Sequence, residues 1–400
     1  MCELQRSRIA ALLAPARFFQ SRPLLIAEPF CGIRSVAEML SQGGVSTANV
    51  NTYELDRRYL RYYASRGELD HVSLGPFNGD VLRVDLSSLL ECDALICGPP
   101  CEAWASNGPR DGPADVRSTC YQTVCDWIVE LAWRGTLTMF ALENSSHTAA
   151  EHSDFVSGSW IDNMRRELEA RIPFFVMDIV VVDLAYYLPH CRVRAWLRGM
   201  RVYIIWSLHL PPVYVFESPI PLAMVLMRDI PNIPVADLTI KRQAKLAMYM
   251  RIIQDDLAAG RVAEFAVIEI DRDPNGVFGK IIQYDRIPTL RTKGPEFLIV
   301  SLNDLHLPPL DRACHRLLSN SERFALQGHP HSNHLHCPSQ ALSRYASGNA
   351  FAVPMVAAVA GPMVNSLFLK GSDDALIGRR ISEARMRELT SFKALLERET

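Results

Sequence analysis

The sequence predicts an α/β protein: a largely parallel sheet covered by helices, with a second, smaller and less regular domain. Three observations carry this reading. From residue 24 to about 184, short apolar β-like runs alternate with helical patterns, as in parallel sheets wound with helices. The segments rich in chemistry (PFCG, YELD, GDV, GPPC and LENS) each stand where an apolar run stops, and sites in such sheets collect at the carboxyl ends of the strands. From about residue 211 the alternation gives way to a proline-rich texture, PPVYVFESPIPLAMVLMRDIPNIP.

The elements follow in order. Residues 1–22 are an N-terminal extension, short, Arg-bearing and amphipathic, read as a frayed helix in preference to a transit segment. Residues 23–210 form the main domain. LLIA is its first strand and SVAEMLSQGG its first helix. VNTYELD is a strand, followed by a polar Arg/Tyr stretch, the runs GDVLRVD and DALICGPPC, and a long helix STCYQTVCDWIVELAW. TMFALENSS, the helix DNMRRELEAR and the strand FFVMDIVVVDL complete the series. Residues 211–312 are the smaller domain, mixing a helical stretch with AEFAVIEI, GKIIQYDRI and EFLIVSL. Residues 313–370 return to the main domain: 315–327 read as helical, and 348–368 as an apolar helix of small residues packed on the first domain. Residues 371–400 are a charged amphipathic helix.

Composition bounds the function. Of 400 residues 48% are hydrophobic, and the net charge is −2. Without a global basic field, a nucleic-acid partner has to be met by local patches. Six lysines stand against 36 arginines; arginine suits phosphate and base contacts, but a GC-rich genome explains the bias as well. Ten cysteines are scattered without a CxxC pair, which reads as reduced thiols in an intracellular protein. No run reaches the roughly 18 apolar residues of a membrane span, so no membrane partner is expected.

PFCGI (29–33) is a strand-to-turn glycine segment. Glu54, about 20 residues on, stands at the next strand end, placed to hydrogen-bond a ribose. Asp80 in NGDV stands at a third, placed to accept from an adenine amino group. Two exposed strand-end carboxylates are the plainer reading of the same spacing. Cys101 follows two prolines, which stiffen φ and remove donors; alone, it reads first as a buried structural cysteine. Likewise Glu143 alone reads as a cap or salt-bridge acid, and Arg192 and Arg194 as a solvated strand face. HPHSNHLHC (329–337) has histidine and cysteine in number, but its spacing matches no zinc finger, and a solvated loop is expected.

Taken together, GPPC (98–101), LENS (142–145), LPHCRVRAWLRG (188–199), LSNSERFALQGHP (318–330) and SGNAFAVPMV (347–356), after the glycine turn, resemble the cytosine-C5 DNA methyltransferases. The resemblance covers roughly residues 24–370 and leaves out 211–300, where that family is variable. It implies a Rossmann-like class I methyltransferase domain with a target-recognition domain at 211–312. It implies S-adenosyl-L-methionine as cofactor, resting on Phe30, Gly32, Glu54, Asp80, Val81 and Pro100 and closed by Asn349 and Ala350. No metal is implied. Cys101 would be the nucleophile that adds to cytosine C6. Glu143 would hold the N3/N4 edge and protonate N3, which needs a carboxylic acid with a raised pKa. Arg192 and Arg194 would supply charge and hold the base, and Asn144 would order the loop. The base must be flipped out of double-stranded DNA, and the loop 102–112 would close over it, hinged at Gly108 and Gly112. Arg291, Thr292 and Lys293, in TLRTKG (289–294), are placed in the DNA groove.

The sequence departs from the family pattern at Arg34 and Ser35 (usually glycines), Glu102, Trp104, Ala105, Tyr187, His190 (usually Gln) and His329 (usually Phe). Arg34 either crowds the cofactor or points to solvent. Two rivals stay open: an RNA cytosine methyltransferase of the same fold, and a catalytically weak DNA-binding or scaffold relative. The tRNA-acting branch carries a Cys-Phe-Thr stretch that this sequence lacks. A nuclear location is expected if the source is eukaryotic.

Overall fold

The computed structural model describes residues 3–101, 115, 117–150, 158–202, 209–216, 218–227, 229–231, 237–275, 281–292, 296–302 and 315–369. Seven strands form the main sheet: β1 (Leu24–Pro29), β2 (Thr47–Glu54), β3 (Ser73–Leu74), β4 (Ala94–Cys97), β5 (Met139–Ser145), β6 (Phe175–Asp183) and β7 (Val193–Arg201). Their order is β3-β2-β1-β4-β5-β7-β6. The β1–β2, β1–β4, β2–β3 and β4–β5 pairs are parallel, while β7 runs antiparallel between β5 and β6. Helices α1 (Glu3–Leu12), α2 (Ala14–Phe19), α3 (Ser35–Gly43), α4 (Leu60–Arg66), α5 (Gly75–Asn78), α6 (Ser118–Trp133) and α7 (Trp160–Arg171) belong to this half.

The layers follow from strand alternation. Successive side chains of a strand face opposite sides. Ala94, Ile96, Met139 and Ala141 enter one core with Val36, Met39 and Leu40 of α3. Leu95, Cys97, Phe140 and Leu142 enter the other with Tyr121, Val124, Ile128 and Leu131 of α6. The latter recur at helical spacing, so one stripe of α6 is apolar and docks on the sheet. Each such large apolar side chain contributes about 1.5–3 kcal/mol when fully buried.

The chain continues with α8 (Leu222–Val225), α9 (Ile240–Ala258) and an antiparallel four-stranded sheet. Its strands are β8 (Phe265–Glu269), β9 (Ile282–Tyr284), β10 (Phe297–Ser301) and β11 (His315–Leu317), ordered β11-β10-β8-β9. The chain then forms α10 (Asn320–Ala325), α11 (Gln340–Asn349) and α12 (Val353–Leu369).

Several expectations are corrected. GDVLRVD is no strand: two-residue β3 is followed by α5, and Asp80 caps a 3-10 turn at 81–83, accepting from Leu82 N–H at 3.1 Å. Residues 315–327 are not one helix, because 315–317 pair with β10 and extend the second sheet past residue 312. The helix expected at 348–368 starts at Val353, after a break at 350–352. The N-terminal helix is not frayed: Ile9 and Leu13 are fully buried, and Asn365 of α12 joins it by accepting from Ala16 N–H at 3.1 Å and donating to Leu12 O at 2.7 Å. By length and composition Gln340–Phe368 is apolar enough to cross a membrane, contrary to the sequence reading, but 89% of its apolar window is buried in the fold, as in a core helix. The loop at 102–112 and the tail at 371–400 lie outside the described residues.

Candidate active site

Strand β4 is buried throughout and ends at Cys97. Gly98, Pro99 and Pro100 carry the chain out to Cys101, a half-buried thiol outside any disulfide. Parallel pairing sets Cys97 opposite Leu142, so Gly98 stands beside Glu143. Glycine is required there: a Cβ would lie 2.3 Å from the Phe351 ring and 3.0 Å from Glu143 Oε2.

Glu143 is 6% exposed. Two cations converge on its Oε1, Arg194 Nε at 2.9 Å and Arg192 Nη2 at 3.8 Å. The β5–β7 ladder arranges this, since Arg194 pairs with Ser145, two residues from Glu143 on the same face. Arg192 precedes β7 and donates to Gly348 O at 3.1 Å, tying it to the end of α11. Burial and the neighbouring Arg194 lower the Arg192 pKa to about 10, while Glu143 and Cys101 push it back up. The coupling is mutual: the cation that feels Cys101 also favours its thiolate. Asn144 lies on the other face of β5, with Oδ1 accepting from Ser145 N–H at 2.8 Å and Nδ2 buried without a partner.

A second group of candidates gathers at β1 and β2. Phe30 (φ 57°), Gly32 (φ 50°) and Arg34 (φ 59°) are all left-handed, so the turn after β1 is strained. A Cβ on Gly32 would meet nothing within 4 Å, so open space lies over the turn. Gly32 N–H donates to Glu54 Oε2 at 2.8 Å, and Asp56 N–H to Oε1 at 2.8 Å. Burial raises the Glu54 pKa. A Cβ on Gly79 would stand 2.2 Å from Glu54 O; this close approach brings Asp80 to the end of β2. Phe30 and Val81 share an apolar cluster, Pro100 is half-buried, Asn349 is exposed at the last turn of α11, and Ala350 is buried.

Sequence comparison gives these two groups a context. The family model for C-5 cytosine-specific DNA methylases matches residues 25–365. The chain belongs to that family. The orphan methyltransferase M.Rho11sI of Bacillus phage rho11s is 30% identical to this methylase over 108 residues, and the match spans only 21% of that relative's length. Solved structures with the same fold include the Entamoeba histolytica methyltransferase EhMeth (TM-score 0.56, 10% identity, 87% of this chain and 99% of that one). A Spodoptera frugiperda DNMT2 mutant (0.53, 13%, 85% and 99%) is similar, as is a putative DNA modification methyltransferase from an Escherichia coli prophage (0.53, 15%, 86% and 98%).

Two departures of this methylase from the family pattern are bonded to each other, and others have partners elsewhere in the fold. Ser35 Oγ donates to Phe351 O at 3.0 Å and accepts from His329 Nε2 at 2.9 Å, with His329 Nδ1 taking Asn333 Nδ2–H at 3.4 Å. The two unusual residues are therefore partners. Complete burial, with help from Arg66, lowers the His329 pKa to about 3, so the imidazole is neutral. His190 is also fully buried and neutral, its pKa lowered to about 3 by burial and by Arg192. It donates from Nδ1 to Leu326 O at 3.2 Å and accepts Leu290 N–H at Nε2 at 3.0 Å. One side chain, two residues before Arg192, thus joins three segments of the chain. Arg34 does not point to solvent; it is 5% exposed and pairs with Glu68 at 3.4 Å.

The recognition residues are placed unevenly. Arg291, expected in the DNA groove, is half-buried and its Nη2 donates to both Glu269 oxygens, at 3.2 and 3.1 Å. The backbone of Arg291 and Thr292 packs against Gly348, where a Cβ would stand 2.6 Å from both. Lys293, Glu102, Trp104 and Ala105 lie outside the described residues. Among the described residues no cluster of His, Cys, Asp and Glu could hold a metal ion.

Sequence reading missed Phe351, which roofs Gly98, and Glu28 at the end of β1. Glu28 is fully buried; Oε1 accepts Val36 N–H at 3.1 Å and Oε2 has no partner. An acid preceding a glycine turn was the only available signal. Burial raises its pKa from 4.5 to about 8, against the opposing pull of Arg34. Between those values the folded chain holds a proton the unfolded chain releases, so this carboxyl's contribution to stability falls as pH rises from about 4.5 to 8. Glu28→Gln keeps an acceptor for Val36. It should gain about 3–5 kcal/mol over wild type at pH 8 and little at pH 4.5, measured by urea unfolding at both pH values. An equal difference at the two pH values would place the charged form in the native state.

Proposed function

We propose that this chain is a DNA (cytosine-5-)-methyltransferase that flips cytosine from duplex DNA and methylates C5. The observation that carries the reading is the convergence of Arg192 and Arg194 on Glu143 beside the GPPC thiol. Cys101 adds to C6, which makes C5 an enamine carbon able to attack an electrophilic methyl. Glu143 Oε2, on the Gly98 side, is free of the arginine-bound Oε1 and serves the N3/N4 edge. Arg192 and Arg194 stabilise negative charge on the thiolate and orient the carboxylate. Departure of the C5 proton then allows elimination of Cys101.

The residues around the glycine turn fit S-adenosylmethionine. Gly32 leaves room above the turn, and Phe30 and Val81 supply an apolar wall. Glu54 uses one lone pair per oxygen on backbone N–H groups, and a carboxylate retains further lone pairs for ribose hydroxyls. Asp80 stands beside it for the adenine, Pro100 borders the methyl-transfer end, and Asn349 and Ala350 close the methionine end. When bound, the cofactor supplies the sulfonium methyl.

The test is covalent trapping with S-adenosylmethionine and 5-fluorocytosine substrates, where fluorine at C5 cannot leave as a proton does. A cofactor-dependent shifted band with duplex DNA on a denaturing gel is expected. A band with RNA alone would reassign the substrate, and no band with either would favour a scaffold relative.

A further inference from the structure

The carboxyl edge of the sheet has a second concave feature, away from Cys101. A cleft of approximately 350 Å³ opens between the starts of α4 and α11, lined by Arg57, Arg58 and Arg61 on one side and Pro338, Ser339 and Leu342 on the other. Arg58 is committed: its Nε reaches the Asp56 oxygens at 2.9 and 2.8 Å, and its guanidinium lies 3.9 Å over the Tyr345 ring. Arg57 and Arg61 are exposed, and among the described residues neither pairs with a carboxylate; Arg57 lies over the Phe77 ring, at 5.9 Å. They stand at i and i+4, where like charges repel. Asp56 offsets one of three charges, so the cleft is a cationic concavity on a chain of net charge −2.

The position selects the anion. Arg57 follows Glu54 by three residues, so the cleft lies beyond the ribose end of the cofactor site, where S-adenosylmethionine carries no negative group. β2 and β4, whose carboxyl ends lead to Arg57 and to Cys101, are separated in the sheet by β1 alone, so the two features share one edge of the sheet. We propose that Arg57 and Arg61 form a phosphate-binding cleft for the DNA backbone flanking the target base. This rests on the DNA-methylating reading. Such an interaction positions the duplex and carries no sequence information.

The experiment measures binding of a labelled duplex to the full chain across a series of KCl concentrations, comparing wild type with Arg57→Gln/Arg61→Gln. Each neutralised phosphate contributes about 0.9 to the slope of log K against log salt. The double variant should lower the slope by about 1 to 2. For each phosphate it no longer neutralises, binding at 0.1 M salt should weaken about tenfold, equally for unrelated sequences. Arg57→Lys/Arg61→Lys should recover most of it. Retained thermal protection by S-adenosylmethionine shows that the variant is folded. An unchanged slope overturns the proposal, as does loss of inorganic phosphate binding without a change in slope, or a loss seen with RNA but not with DNA. Trapping separates the two readings: a band with an unchanged slope removes the cleft alone, and a reduced slope without any band removes the catalytic reading alone.

Discussion

Cys101→Ala should lower methyl transfer to cytosine by about 10⁴-fold or more while leaving affinity for S-adenosylmethionine and duplex nearly unchanged. Without the sulfur no covalent bond forms at C6, and C5 has no enamine electrons to give. The remaining parts still bind, because Cys101 is half-buried at the end of a loop and fills no core position. Labelled methyl transfer gives the rate, and thermal shift with cofactor gives the binding. A reduction of less than tenfold would remove Cys101 from the chemistry. It would then direct attention to Cys97, which is fully buried and whose thiol is pushed well above its usual range by burial.

Glu143→Gln should reduce kcat by about 10²–10⁴-fold, because the amide keeps the shape but neither delivers a proton to N3 nor balances the arginines. The same change leaves Arg192, 4% exposed, beside Arg194 with no anion. Removing one partner of a buried pair costs about 3–5 kcal/mol, less here because Arg194 is 15% exposed. The two consequences separate in Glu143→Gln/Arg194→Gln. Removing one unmatched cation should restore stability in urea unfolding while activity stays absent. Return of activity with stability would make Glu143 a structural acid.

The legible part of this site was the part fixed by strand topology. Cys101, Glu143 and Arg194 sit on β4, β5 and β7 or their ends, and apolar runs with period-two alternation locate strand ends directly. The strand read around Asp80 is a 3-10 turn, because the approach of this segment to β2 depends on Gly79 touching Glu54 O, a tertiary contact with no local pattern. The helical reading of 315–327 failed for a similar reason: a three-residue edge strand is selected by its neighbour β10, not by its own sequence. His190 and His329 looked like defects against the family pattern. Their meaning lay in partners 100 and 294 residues away, Leu290 and Ser35. The Glu269 partner of Arg291 was likewise invisible in one dimension, because the two residues meet only through the fold.

The pairing of α1 and α2 with α12 has a consequence for synthesis. Ala16 and Leu12 meet Asn365 across 349 and 353 residues. One face of the central sheet is closed by α12. At about 5–20 residues per second, a ribosome leaves the part of that face beyond α3 uncovered for roughly 15–70 s after α1 emerges. The other face, covered by α6 and α7, has all its parts once β7 ends at Arg201. The nascent chain therefore passes through a half-clad stage, the one most open to aggregation, and a chain cut off before Val353 stays there.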